Sequence, residues 1–219
     1  MGWAAFALAY TVFLLSHALP VRPPLRPLLV SRLGPGGFAA AYSALSLAAL
    51  AWLIVAADRA PYVPVWGRAA WQDWVPLLVM PVALAIVALS LGRPNPFSFG
   101  GTRDDTFDPE RAGIVRWLRH PLLAALALWA LAHLPPNGDM AHVLLFGGFA
   151  AFALLGMKGI DARRRREQGP AWEMRRAALA AAPWVGAWPL RGTALRLAAA
   201  LAAYTILLAL HPVLFGARP

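Results

Sequence analysis

The sequence predicts an all-α protein: a polytopic transmembrane helical bundle of about six spans. Three observations predict it. Of the 219 residues, 60% are hydrophobic and 14% charged, against about 25% charged residues in ordinary soluble domains. The apolar residues are gathered into six runs of roughly the 17–25 residues that cross a ~30 Å hydrocarbon core. Seventeen of the twenty Lys and Arg residues fall in alternate loops between those runs, the asymmetry that sets topology in membrane proteins.

The first run, about residues 3–19, ends at Pro20 and a proline-rich stretch. It lacks a positive leading region and a small-residue cleavage site, so it reads as a retained helix rather than a signal peptide. The second, about 38–57, follows Gly34-Pro35-Gly36-Gly37 and stops at Asp58-Arg59. The third, about 74–91, carries Pro76 and Pro81 inside it, which lipid-embedded helices tolerate where neighbours satisfy the freed carbonyls. The fourth, about 113–134, is expected to begin early. Asp108-Pro109-Glu110 has the pattern of an N-cap, a first-turn proline and a first-turn acid. A helix is expected from there into the span, bent near His120-Pro121 because proline removes a backbone donor. The fifth, about 140–160, has Asp139 as its cap, and the sixth covers about 193–214. The whole chain, 1–219, reads as one integral membrane domain.

The basic residues orient it. Loops one, three and five hold seventeen of them, including Arg103 and the run Arg163–Arg166; the other side holds Arg59, Arg68 and Arg218. The odd loops are therefore expected in the cytoplasm and both termini outside. The formal charge of +10 reports this topology, and no nucleic-acid partner is expected; Arg163–Arg166 reads as a lipid-headgroup anchor. Residues 170–188, with Trp172, Trp184, Trp188, Arg175 and Arg176, have the composition of an amphipathic helix lying in the interface.

There is no cysteine, which excludes disulfides, iron–sulfur clusters and thiolate-ligated haem. No Ser-His-Asp order stands out, and the glycine-rich stretches lack a P-loop lysine. The remaining chemistry lies in five histidines, His17, His120, His133, His142 and His211, all in or at the ends of spans. Polar groups at such depth are costly and tend to be functional. Taken singly, each reads first as a helix–helix hydrogen-bonding residue. Five of them with no cysteine point to a haem or metal held by imidazoles.

Several stretches carry a family resemblance: Ser16-His17-Ala18-Leu19-Pro20, Phe38 to Asp58-Arg59, Gly92-Arg93-Pro94-Asn95-Pro96, Arg119-His120-Pro121, and Trp129 to His133 with Asn137-Gly138-Asp139. In combination they resemble the NnrU family of bacterial membrane proteins, associated with denitrification and nitric-oxide metabolism. Its superfamily includes zeta-carotene isomerases, which are haem b proteins. The resemblance implies a multi-pass protein of the bacterial inner membrane, with haem b as cofactor and His17 and His133 as ligands of the haem iron. By depth in the membrane, His120 is the other partner for His17, because both lie at cytoplasmic ends of spans whereas His133 lies at an outer end. Both pairings stay open.

Where the isomerases have a histidine after the second helix, this chain has Asp58. Three readings therefore stand: a haem protein supporting nitrite or nitric-oxide metabolism, a haem-dependent cis–trans isomerase of a carotenoid-like polyene, and a non-haem scaffold. The partners implied are the lipid bilayer, haem and a lipid-soluble small molecule. No catalytic residue is assigned, and whether the chain is an enzyme stays open.

Overall fold

The structure is a computed structural model that describes residues 2–100, 104–186 and 189–216. Arg103, Trp188 and Arg218, which entered the patterns above, lie outside those residues. Seven α-helices follow in order: α1 (Trp3–Ala18), α2 (Leu25–Asp58), α3 (Trp71–Ser90), α4 (Pro121–His133), α5 (Met140–Gln168), α6 (Pro170–Ala181) and α7 (Leu190–Phe215). Among the described residues there is no β-strand, only an isolated bridge between Pro64 and Asp139.

Four helices, α2, α3, α5 and α7, are long and apolar enough to cross a membrane. Their outward residues are apolar as well: Leu47, Leu78, Leu155 and Leu201 are all well exposed, as lipid contact requires. The chain is a helical protein suited to a bilayer. Two of the six expected spans are shorter than expected. Helix α1 has 16 residues and α4 has 13, and 13 residues of α-helix reach only about 20 Å.

Helix α4 corrects the reading of Asp108–His133. The cap is present, since Asp108 Oδ1 accepts from the Glu110 N–H at 3.0 Å with Pro109 behind it. It starts two short 3₁₀ turns, Pro109–Arg111 and Gly113–Arg116, and no continuous α-helix. Gly113 opens the second turn at φ +58°, a left-handed conformation that interrupts α-helical propagation. Pro121 then opens α4 at its first position, and His120 before it is non-helical at φ −117°, ψ 64°, as a residue preceding proline prefers. Between the first two expected spans, Leu25–Leu33 is helical, and the break at Gly34 (φ 69°, ψ 166°) separates it from the apolar part of α2.

Contacts group the chain into two units, Met1–Gly67 with Gly138–Leu145, and Arg68–Asn137 with Phe146–Pro219. In the first, α1 packs on α2, with Phe6, Ala9, Phe13, Leu53 and Ala56 buried. The Tyr10 hydroxyl donates to the Leu144 carbonyl at 3.3 Å. The stretch 63–66 pairs with 138–140 through Val65 N–H to Gly138 O and Met140 N–H to Val63 O, both 2.8 Å. A Cβ at Gly138 would strike the Trp66 carbonyl and indole, so this approach needs glycine. Asp139 caps α5 as expected, its Oδ1 accepting from His142 N–H at 3.2 Å.

In the second unit α3 packs on α4 and α7. Tyr204 donates to the Leu77 carbonyl at 3.1 Å, and Arg196 caps the end of α3 by donating to the carbonyls of Ala88 and Leu91. The loop between α3 and α4 is folded into the protein. Phe97, Ala112, Ile114 and Val115 from this loop form one apolar cluster with Leu89 of α3 and Trp172 and Leu179 of α6. Arg116 closes the end of α6 by donating to the carbonyls of Ala182 and Ala180 at 3.0 and 3.1 Å. The expected helix in 170–188 is thus α6, Pro170–Ala181.

Candidate functional site

His17 and His142 belong to the first unit and His120, His133 and His211 to the second. Among the described residues no three His, Asp or Glu side chains converge as ion ligands.

His17 lies on the last turn of α1, half-buried. Its Nδ1–H donates to the Phe13 carbonyl at 2.8 Å, with the Phe13 ring 4.1 Å away and Tyr42 edge-on at 6.0 Å. His133 lies on the last turn of α4, also half-buried. Its Nδ1–H donates to the Trp129 carbonyl at 2.7 Å, and its ring stacks on Phe146 at 5.4 Å. The two sites share one local design: a histidine one helical turn after an aromatic residue whose carbonyl takes the Nδ1 proton. In the neutral ring that bond leaves the lone pair on Nε2 and fixes the ring's orientation. Metal-bound histidines are held in this way, so both side chains fit ligation of a haem iron.

His120 is held differently. It is 5% exposed, and both ring nitrogens have partners. Nδ1 is 3.0 Å from Ser98 Oγ and Nε2 is 3.0 Å from Asp161 Oδ1. His120 precedes α4, outside the apolar helix. Burial outweighs the neighbouring Asp161 carboxylate and keeps the imidazole below its ordinary pKa. The ring is then neutral at pH 7, donating Nε2–H to Asp161 and accepting the Ser98 hydroxyl at Nδ1. To bind iron, His120 would have to give up one of these bonds.

Around it two of the resemblance-bearing stretches meet, Gly92–Pro96 and Arg119–Pro121. Asn95 Nδ2 donates to the Arg119 carbonyl at 3.0 Å, and its Oδ1 accepts from Phe97 N–H at 3.1 Å. Asp161 of α5 also accepts from Arg119 Nη2 at 2.9 Å. From α5, Arg164 donates to the Ser98 carbonyl and Gln168 to that of Pro96, both at 2.9 Å. The loop is thereby fastened to the basic end of α5.

Sequence order hid this network. Ser98 and Asp161 stand 22 and 41 residues from His120, and neither belongs to a recognisable spacing. The available signal was Asp161 itself, the first acid after the apolar run of α5. Although the order Ser–His–Asp suggests nucleophilic chemistry, Ser98 is 1% exposed and a nucleophile must reach its substrate. The relay is a structural tie.

Two cavities flank this region. One, of about 360 Å³, is lined by Arg93, Asp108 and Arg111 among others. The other, of about 280 Å³, is lined by Arg119, Lys158, Asp161, Ala162, Arg165, Trp172 and Arg176.

No curated protein and no solved structure matches the chain. A family model described as "NnrU protein" matches residues 5–219, nearly the full length and including His17, His120, His133, Asn95 and Asp161. The chain belongs to the NnrU family.

Proposed function

We propose that this NnrU-family protein binds haem b, with His17 and His133 as imidazole ligands of the iron, and supports nitrite or nitric-oxide metabolism from the bacterial inner membrane. The observation that carries the reading is the shared local design, in which each histidine gives Nδ1–H to the carbonyl one turn back and keeps Nε2 as its electron-pair donor. Haem b, when bound on two imidazoles, would supply an iron that exchanges electrons. The chain's own residues supply the rest. The carbonyls of Phe13 and Trp129 hold the tautomer and raise the basicity of Nε2. The rings of Phe13, Tyr42, Trp129 and Phe146 pack against the two imidazoles and limit access of water to them. A neutral imidazole adds no charge to a low-dielectric environment, which suits a membrane site.

His17→Ala and His133→Ala test the assignment. Each is expected to lower haem occupancy or convert a low-spin, six-coordinate spectrum to a five-coordinate, high-spin one. His120→Ala is expected to leave the spectrum unchanged while lowering stability. If the His17 and His133 variants keep the parent spectrum, ligation by these residues is wrong.

A further inference from the structure

We infer that the cavity lined by Arg119, Lys158, Arg165, Trp172 and Arg176 is a binding site for a phosphate group, carried by the headgroup of an anionic phospholipid. The inference is independent of haem.

Charge points to an anion. Four cations line about 280 Å³. Two acids offset them: Asp161, taken by Arg119 and His120, and Glu173, shared by Arg165 at 2.9 Å and Arg176 at 4.0 Å. Lys158, the protein's one lysine, has no ion pair among the described residues. Two positive charges therefore remain without a counter-charge in one cavity wall. Arg165 and Arg176 are also held over the same Trp172 ring, at 4.9 and 5.5 Å from its centroid, so like charges are kept close together.

Hydrogen bonding points the same way. Trp172 is 2% exposed, and among the described residues its Nε1–H has no partner; neither has the buried Arg119 Nε–H. Buried donors without acceptors are rare and costly in native proteins. Here two occur on residues lining one cavity, and both are donors. A ligand that only accepts hydrogen bonds matches these residues, and a phosphate offers several charged acceptor oxygens to guanidinium and ammonium groups at once; the two buried donors reach it through a small shift of the side chains that cover them. A metal ion or an organic cation would meet donors and like charge.

Size and position select the ligand further. The volume lies at the lower edge of the ~300–1,000 Å³ range of small-molecule pockets, enough for a phosphate and its immediate substituent but not a nucleotide. Lys158 and Asp161 stand where the apolar run of α5 gives way to Arg163–Arg166, the level at which a spanning helix meets lipid headgroups. Basic pockets at that level bind anionic lipids.

The test is native mass spectrometry of the full-length protein in neutral detergent, titrated with a short-chain phosphatidylglycerol and, separately, with inorganic phosphate. Three forms are compared: parent, Lys158→Gln and Trp172→Phe. Lys158 is exposed and has no ion pair among the described residues, so Lys158→Gln is expected to fold; Trp172→Phe keeps a ring and removes only the donor. One phosphatidylglycerol per parent chain is expected, with affinity reduced about tenfold in Lys158→Gln, the worth of one charge-assisted contact, and reduced in Trp172→Phe. Binding of inorganic phosphate with the same residue dependence, and no lipid retention, would keep the phosphate site and overturn its lipid source. Binding of neither probe, or lipid binding equal in all three forms, would overturn the site.

Discussion

Asp161 takes hydrogen bonds from both His120 and Arg119, and with Ser98 it accounts for both nitrogens of a buried imidazole. Removing its charge leaves those donors poorly matched, so Asp161→Asn is expected to lower stability by about 1–3 kcal/mol, read as a lower thermal midpoint in detergent. The same geometry sets a pH dependence. Because burial holds the folded-state pKa of His120 below its unfolded value of about 6.5, the unfolded chain binds more protons in acid. Stability is then complete above about pH 6.5 and is lost progressively as pH falls. Thermal midpoints between pH 8 and 5 check this, with His120→Asn expected to flatten the profile. All five histidines were visible in the sequence as candidates. Their partners were not, because a fold-back of 22 or 41 residues leaves no periodic trace, whereas the (i, i−4) carbonyl bonds of His17 and His133 follow from helix alone.

At the scale of elements, hydrophobic run length was a good guide to helix existence and a weaker one to helix ends. The apolar segments of α2, α3, α5 and α7 lie close to where the runs place them. The misreading at Asp108–His120 has a local cause: the cap signal was correct, but a cap does not choose between α and 3₁₀ continuation, and Gly113 and Pro121 decide against α. Gly113→Ala tests that account. Its φ of +58° is left-handed, and a Cβ there would meet the Arg93 guanidinium. The substitution is expected to cost about 1–2 kcal/mol while leaving helix content by circular dichroism unchanged. A neutral or stabilising result would mean that the turn is not held in that conformation. The Pro-rich first loop carried no signal for the helix at Leu25–Leu33, which runs up to the break that Gly34 allows.

For the whole molecule, the composition and the charge asymmetry of the loops predict a membrane protein, and four spanning-length helices and NnrU membership agree. The orientation rests on charge alone. Reporter fusions after Gly169 and after Asp139 are expected to give cytoplasmic and external signals respectively; the reverse pair would invert the topology, and equal signals would change the number of spans between them. The proposed function stands or falls with haem b held on histidine. The most direct measurement is the absorption spectrum of the purified full-length protein after expression with added haem. A Soret band with the sharp visible bands of a low-spin, bis-imidazole centre is expected, at a content approaching one haem per chain. A protein that is folded, as judged by its helical circular dichroism, yet shows no Soret absorption would contradict it and return His17 and His133 to the packing of their own helices.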